Sequence, residues 1–523
     1  MTGKRRTGVD RSRRRLLKRL AAGAVVASTG ASLSPLAVAS GTGPAPARAA
    51  APRAGKVLEL AELLRKTPAD RVFDVAAAQV RDGATEKELL GGTLLAGVRD
   101  VKPVPAGTKF HVVLLVPSAL ELTEASRGTD RWLPVFFNIH TLKNSQARDI
   151  SEGDWELPAA PPPLSGRPFE IRRTLAGALE AWDLETADRA ITAAARQLEL
   201  DDVFEIIWPF GARDFHNIGH KMIHASQVYR ALRMIDGHHR EPVLRSLVQG
   251  LLGVGPGASS ADYGKNVRRV QSLPSDFNPP KVDPDAAWEL FRRLRTATAE
   301  QAVETVVEML VRGVAPSSIW DGMRVHASEV LFRLRLSDAR NAQLLGVHPL
   351  TIINAFHNAY KTTHLERTRR LLLLQCAAWM PHARELLKRA KKLSMKGPGF
   401  DGLDAPTDRV TVDDTVRAAD RDAVLSGSMV LRVARDRSDA EAFIDRCRAL
   451  VLRKSPEHHH HKYAVAAFEE FRKTDPRLAP YLLATSLSYL PTPGDAMSGV
   501  YERTLTALSK VGIRIAGAKT PAD

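Results

Sequence analysis

The chain has 523 residues, enough for one large helical body or for two to four domains. A hydrophobic share of 44% and a charged share of 26% exclude a disordered or membrane-embedded chain. The formal net charge is +16, but residues 1–39 hold nine basic residues against Asp10 alone, so only +8 belongs to the rest. With no interleaving of aromatic and basic residues, nucleic acid is not an expected partner. Cys376 and Cys447 are the only cysteines, which excludes a disulfide framework and a cysteine-based zinc site.

Residues 1–50 read as an export segment and linker. Ser12-Arg13-Arg14-Arg15-Leu16-Leu17-Lys18 resembles the twin-arginine signal, with Leu where Phe is usual. The stretch from Leu20 to Val38 is too weakly apolar for a bilayer span and is broken by Pro35. Cleavage is expected after Ala39 or near Ala50. The resemblance implies passage through the twin-arginine export machinery, a periplasmic or extracellular location and a mature chain with no transmembrane span.

From Val57 onward helical patterns dominate. An N-terminal helical region is expected over 56–157, ending at the loop PAAPPPLSGRP. A central histidine-bearing helical domain follows over 169–395, interrupted by a long polar loop at 262–284. A Gly/Pro/Asp linker leads to a smaller C-terminal helical region over 416–515, which carries the run His458-His459-His460-His461. The fold class is all-α.

The central domain opens with FHNIGHKMIHASQVYRALRMI, Phe215 to Ile235. On one continuous helix His216, His220 and His224 sit near 0°, 40° and 80°, on the same side as Ile223 and Ala231, so the stripe reads as buried. A buried imidazole needs a partner for each ring nitrogen. Two histidines at i and i+4 can share one metal ion, but His216 and His224 lie roughly 12 Å apart along such a helix, too far for all three. Other helices must complete a site. Ile223-His-Ala-Ser-Gln-Val matches Val325-His-Ala-Ser-Glu-Val, which pairs His224 with His326, and His357-Asn-Ala-Tyr is a shorter echo. His224 and His357 each lead into a second apolar helix, and His111 precedes one after a similar gap. The unit is a helical hairpin whose first helix carries an inward histidine, and such hairpins pack around a shared interior.

These residues leave three readings open. The first is a mononuclear iron or zinc site built from His216, His224, His326 and His357, with His220 and Glu329 as acid/base groups. The second is a helical-repeat scaffold or binding protein of the cell envelope, its histidines satisfied by Asp214, Asn217, Asn354 and Asn358. The third is a metal-dependent hydrolase with Glu329 as base. In the four-histidine run consecutive side chains diverge by 100° on a helix, so one member, His459 or His461, reaches a cleft at most. There is no GxSxG motif, and GVGPG at 253–257 is no dinucleotide fingerprint because it follows a helix and contains Pro256.

The stretch from His216 to Met380, through His224-Ala225 and HPLTIINAFHNAY at His348 to Tyr360, resembles the questin oxidase-like family. That resemblance implies an all-helical enzyme that oxidises a small hydrophobic organic substrate with molecular oxygen, with a nicotinamide as reductant.

Overall fold

The computed structural model describes residues 52–235, 239–255, 260–273, 281–334, 345–389 and 399–515. The expected export signal and its cleavage sites lie outside these residues. The described chain folds into 22 α-helices and no β-strand, with one isolated bridge between Lys281 and Val314.

Three pairs of consecutive helices form the hairpins that the repeat anticipates. Helix α1, His111–Ala125, runs through Pro117 and turns back into α2, Leu133–Glu152. Helix α3, His216–Ile235, is followed by Arg240–Leu252. Helix α4, Pro316–Leu334, carries His326. Helix α5, His348–Thr362, returns through Glu366–Arg389. Helix α6, His458–Lys473, belongs to the C-terminal region but packs against both α1 and α5. The described residues accordingly form one compact unit.

Almost every residue of α1 and α4 is buried, including Val112, Leu115, Ala119, Trp320, Val325 and Phe332. Helices buried on every side belong in the middle of a large body. Each fully buried side chain of this size stabilises the fold by roughly 1.5–3 kcal/mol. A charged layer lies between them: Arg324 of α4 donates to Glu470 of α6 at 2.6 Å and to Asp321 at 2.7 Å, while Asn354 of α5 donates to Glu469 and Glu470 at 2.8 Å each. A buried ionic cluster with every member paired fixes the register of the helices that share it.

Two local expectations fail. The polar loop at 262–284 is in part a helix, Ala261–Ser272, whose Tyr263, Val267 and Val270 pack on the core while Asn266 donates to Gln375 at 2.8 Å. Its three apolar positions recur at helical spacing, but its polar majority hides them. The second failure is the histidine stripe. Asn217, Ile218 and Gly219 take left-handed dihedrals, with φ of 48°, 52° and 78°, so α3 is broken behind His216 and its regular part begins at His220. A β-branched residue at positive φ is costly, of order 1–2 kcal/mol. The break turns His216 out to solvent and abolishes the common face assumed for His216 and His220.

Candidate metal centre

The break in α3 aims His220 away from its expected stripe. The ring Nδ1 of His220 donates to the Asn217 carbonyl at 2.7 Å. A carbonyl only accepts, so the proton sits on Nδ1 and the Nε2 lone pair points inward. There it lies 3.4 Å from Nε2 of His348, the first residue of α5. Gly107 makes room for this arrangement, since a Cβ at that position would meet His220 Nδ1 at 2.4 Å.

His220 also packs edge-on against His111, the first residue of α1, with ring centroids 5.4 Å apart. His111 in turn touches His458 and His459, the first two residues of α6, at centroid distances of 4.1 and 4.6 Å. His348 closes the group against His459 at 5.5 Å. Within the group, ligand atoms of His111, His458 and His459 all lie within 4.8 Å of one another. Among the described residues this is the one group of three or more His, Cys, Asp or Glu side chains with that property.

Glu457 caps α6 and accepts both the backbone N–H of His459, at 2.9 Å, and its Nδ1–H, at 2.7 Å. His459 therefore keeps its proton on the outer nitrogen, as metal-binding histidines do when a carboxylate orients them. The second carboxylate oxygen accepts from the hydroxyl of Tyr489. Tyr489 and His460 line an open cleft of about 1080 Å³, with His140, Lys454, Met497 and Arg503 further along it. Glu457 thus stands between the cleft and the histidines.

Burial holds four imidazoles of the group neutral. His111, His220, His458 and His459 all titrate well below the ordinary histidine range, first because they are desolvated and then because neighbouring histidines and Lys462 oppose a further positive charge. Neutral imidazole is the form that binds metal. Lys462, one turn into α6, lies 2.8 Å from His111 Nδ1, and burial pulls its amine down to about 7. The Nε2 atom of His458 is shut off from solvent without a hydrogen-bond partner. Chemically, the group offers several neutral nitrogen donors and one carboxylate-oriented ring.

Of the six site residues expected from sequence, the structure brings one, His220, into the centre. His216 is exposed, and its backbone N–H donates to Asp214 at 3.0 Å. His224 is buried edge-on against Phe110, its ring 2.6 Å from where a Cβ on Gly250 would stand. Neither of its ring nitrogens has a hydrogen-bond partner, and the same is true of His326. His357 accepts from Arg324 at 3.0 Å and lies 3.7 Å from Glu470, so it serves the ionic layer. Glu329 is held by Arg295 at 2.5 Å and by the Phe400 N–H at 3.0 Å. Its oxygens are engaged in an ion pair rather than poised as a base. The repeat correctly pairs His224 with His326 as buried positions, but burial of these two rings fills core space.

Sequence reasoning missed His348, His458 and Lys462 as site residues and left His459 as a lone outlier. The available signal was the four-histidine run with an acid directly before it. The 100° divergence between His458 and His459 does not separate them: their ring centroids lie 4.3 Å apart, and His111 packs on both.

The chain matches no protein-family model, no curated protein and no solved structure. No described helix is long and apolar enough to cross a membrane.

Proposed function

We propose that this chain is an exported, metal-dependent oxidoreductase that acts on a small hydrophobic organic substrate, with iron or zinc held by His111, His458 and His459. The observation that carries the reading is the convergence of those three donors from α1 and α6, bordered by His220 and His348. Imidazole donors suit iron and zinc, and the Glu457–His459 pair has the outer-sphere form that such sites use. The cleft at Tyr489 gives a substrate a place to dock within reach of Glu457. The oxidative and export parts of the reading rest on the resemblances noted for residues 216–380 and 12–18.

A scaffold would have no use for desolvating five histidines and a lysine at one point, where each orphaned polar atom costs about 1–3 kcal/mol. A hydrolase based on Glu329 is disfavoured by the pairing of that carboxylate with Arg295. The test is to load the purified chain with Fe(II), or with redox-inert Zn(II) as a control, remove excess metal, and follow oxygen uptake with hydrophobic quinones and a nicotinamide reductant. Metal-dependent uptake that His458→Ala abolishes is expected. Equal uptake with and without bound metal would refute the reading.

A further inference from the structure

His220 and His348 are a pair that the three-donor group leaves over. Both rings are buried, and they come from different helices, His220 from the regular part of α3 and His348 from the start of α5. Their Nε2 atoms face each other at 3.4 Å. That is the long end of the range for a hydrogen bond. It is also the spacing a tetrahedral ion imposes, since two nitrogens bound at about 2.0–2.1 Å stand about 3.3–3.4 Å apart.

The backbone is shaped around this pair. The Asn217 carbonyl, 2.7 Å from Nδ1, keeps the proton of His220 on that nitrogen and leaves the Nε2 lone pair turned to His348. Metal-binding histidines are commonly oriented by a carbonyl on the outer nitrogen in this way. The carbonyl belongs to the left-handed segment 217–219, in which the β-branched Ile218 has a φ of 52°. Backbone outliers of this kind cluster where a ligand is held.

The pair does not complete the neighbouring group. Donors on one ion at these bond lengths stand at most about 4.2 Å apart. Among the described residues, His111, His458 and His459 are the one set of three His, Cys, Asp or Glu donors that all lie within 4.8 Å of one another. An ion held by those three is therefore out of reach of His220 and His348, and no third such side chain joins the pair. The two sets are still adjacent, because His220 packs on His111 at a centroid distance of 5.4 Å and His348 on His459 at 5.5 Å.

We propose that His220 and His348 hold a second metal ion beside the first, which makes the centre dinuclear. The second ion deepens the reading above and depends on its first. Two imidazoles are fewer than the three protein ligands a catalytic ion ordinarily has, so the second ion is retained when the first is in place. Its remaining positions are open to water or to an oxygen of the substrate, which two adjacent ions can hold and polarise together.

The test counts zinc per full chain after equilibration with Zn(II) and desalting. Two ions are expected in the wild type and one in His348→Ala and in His220→Ala. His348→Phe, which keeps the ring volume, should also hold one, with circular dichroism confirming that each variant is folded. One ion in the wild type overturns the inference whether or not the variants fold. The reading above then stands if His458→Ala combined with His459→Ala loses that ion, and falls if it does not. Two ions that persist in folded His348→Ala or His348→Phe overturn the assignment of this pair. A wild type without zinc refutes both.

Discussion

One carboxylate oxygen of Glu457 accepts twice from His459, from the ring Nδ1–H at 2.7 Å and from the backbone N–H at 2.9 Å. The same contact therefore starts helix α6 and fixes which nitrogen of His459 faces the centre. Folding and ligand geometry are joined in a single acid. Outer-sphere partners of this kind are worth about 10–100-fold in metal affinity. Glu457→Ala is expected to weaken metal binding by that factor in competition against a chelator. Loss of the cap should also lower stability by about 1 kcal/mol, read from denaturant unfolding. Glu457→Gln, which keeps an acceptor oxygen, should retain most of both. Unchanged metal affinity in Glu457→Ala would contradict this role.

Two glycines separate the centre from its look-alike. A Cβ on Gly107 would meet His220 Nδ1 at 2.4 Å, and a Cβ on Gly250 would meet His224 Nδ1 at 2.6 Å. Both alanine variants are expected to destabilise the fold by about 1–3 kcal/mol through overpacking. Only Gly107→Ala should disturb metal uptake, because His220 borders the centre and His224 does not. Thermal unfolding together with metal titration of both variants checks this. Equal loss of uptake in the two would place His224 in the site after all.

The buried rings outside the centre predict a pH dependence of stability. Burial lowers His224, His326 and His461 from 6.5 to about 3. An unfolded chain takes up protons on these rings below about 6.5 while the folded chain does not, so stability is full above that pH and declines as pH falls toward 3. At pH 5 each such ring costs about 2 kcal/mol relative to pH 8. Denaturant unfolding at a series of pH values should show a steep fall beginning near pH 6, and His326→Leu should make it shallower. A flat profile between pH 8 and pH 5 would contradict the assignment of these rings as desolvated.

The all-helical fold and its His-headed hairpins were legible because periodicity and the 223/325 repeat are local signals that packing preserves. His224 and His326 read as buried for the same reason, and they are. What the pattern does not carry is direction. Positive φ at Ile218 departs from what a β-branched residue prefers, although its neighbours Asn217 and Gly219 are of the types that adopt it, so the histidine spacing suggested an unbroken helix and His216 was placed on a face it does not share. His348, His458 and His459 were hidden differently: each lies at the very start of a helix, where one turn of pattern has not yet accumulated. The centre joins positions up to 351 residues apart, as in the contact of His111 with Lys462, and no spacing rule reaches that far.

The central claim is that His111, His458 and His459 hold a metal ion. Metal removal should therefore lower the melting temperature, since a ligand at 100 times its dissociation constant stabilises by about 2.7 kcal/mol. The most direct measurement is the metal content of the folded chain after equilibration with Zn(II) and desalting, for the wild type, for His458→Ala combined with His459→Ala, and for His224→Ala combined with His326→Ala. Bound metal is expected in the wild type and in the His224/His326 variant, and none in the His458/His459 variant. A wild-type chain without bound metal, or metal lost with His224 and His326 instead, would contradict that claim.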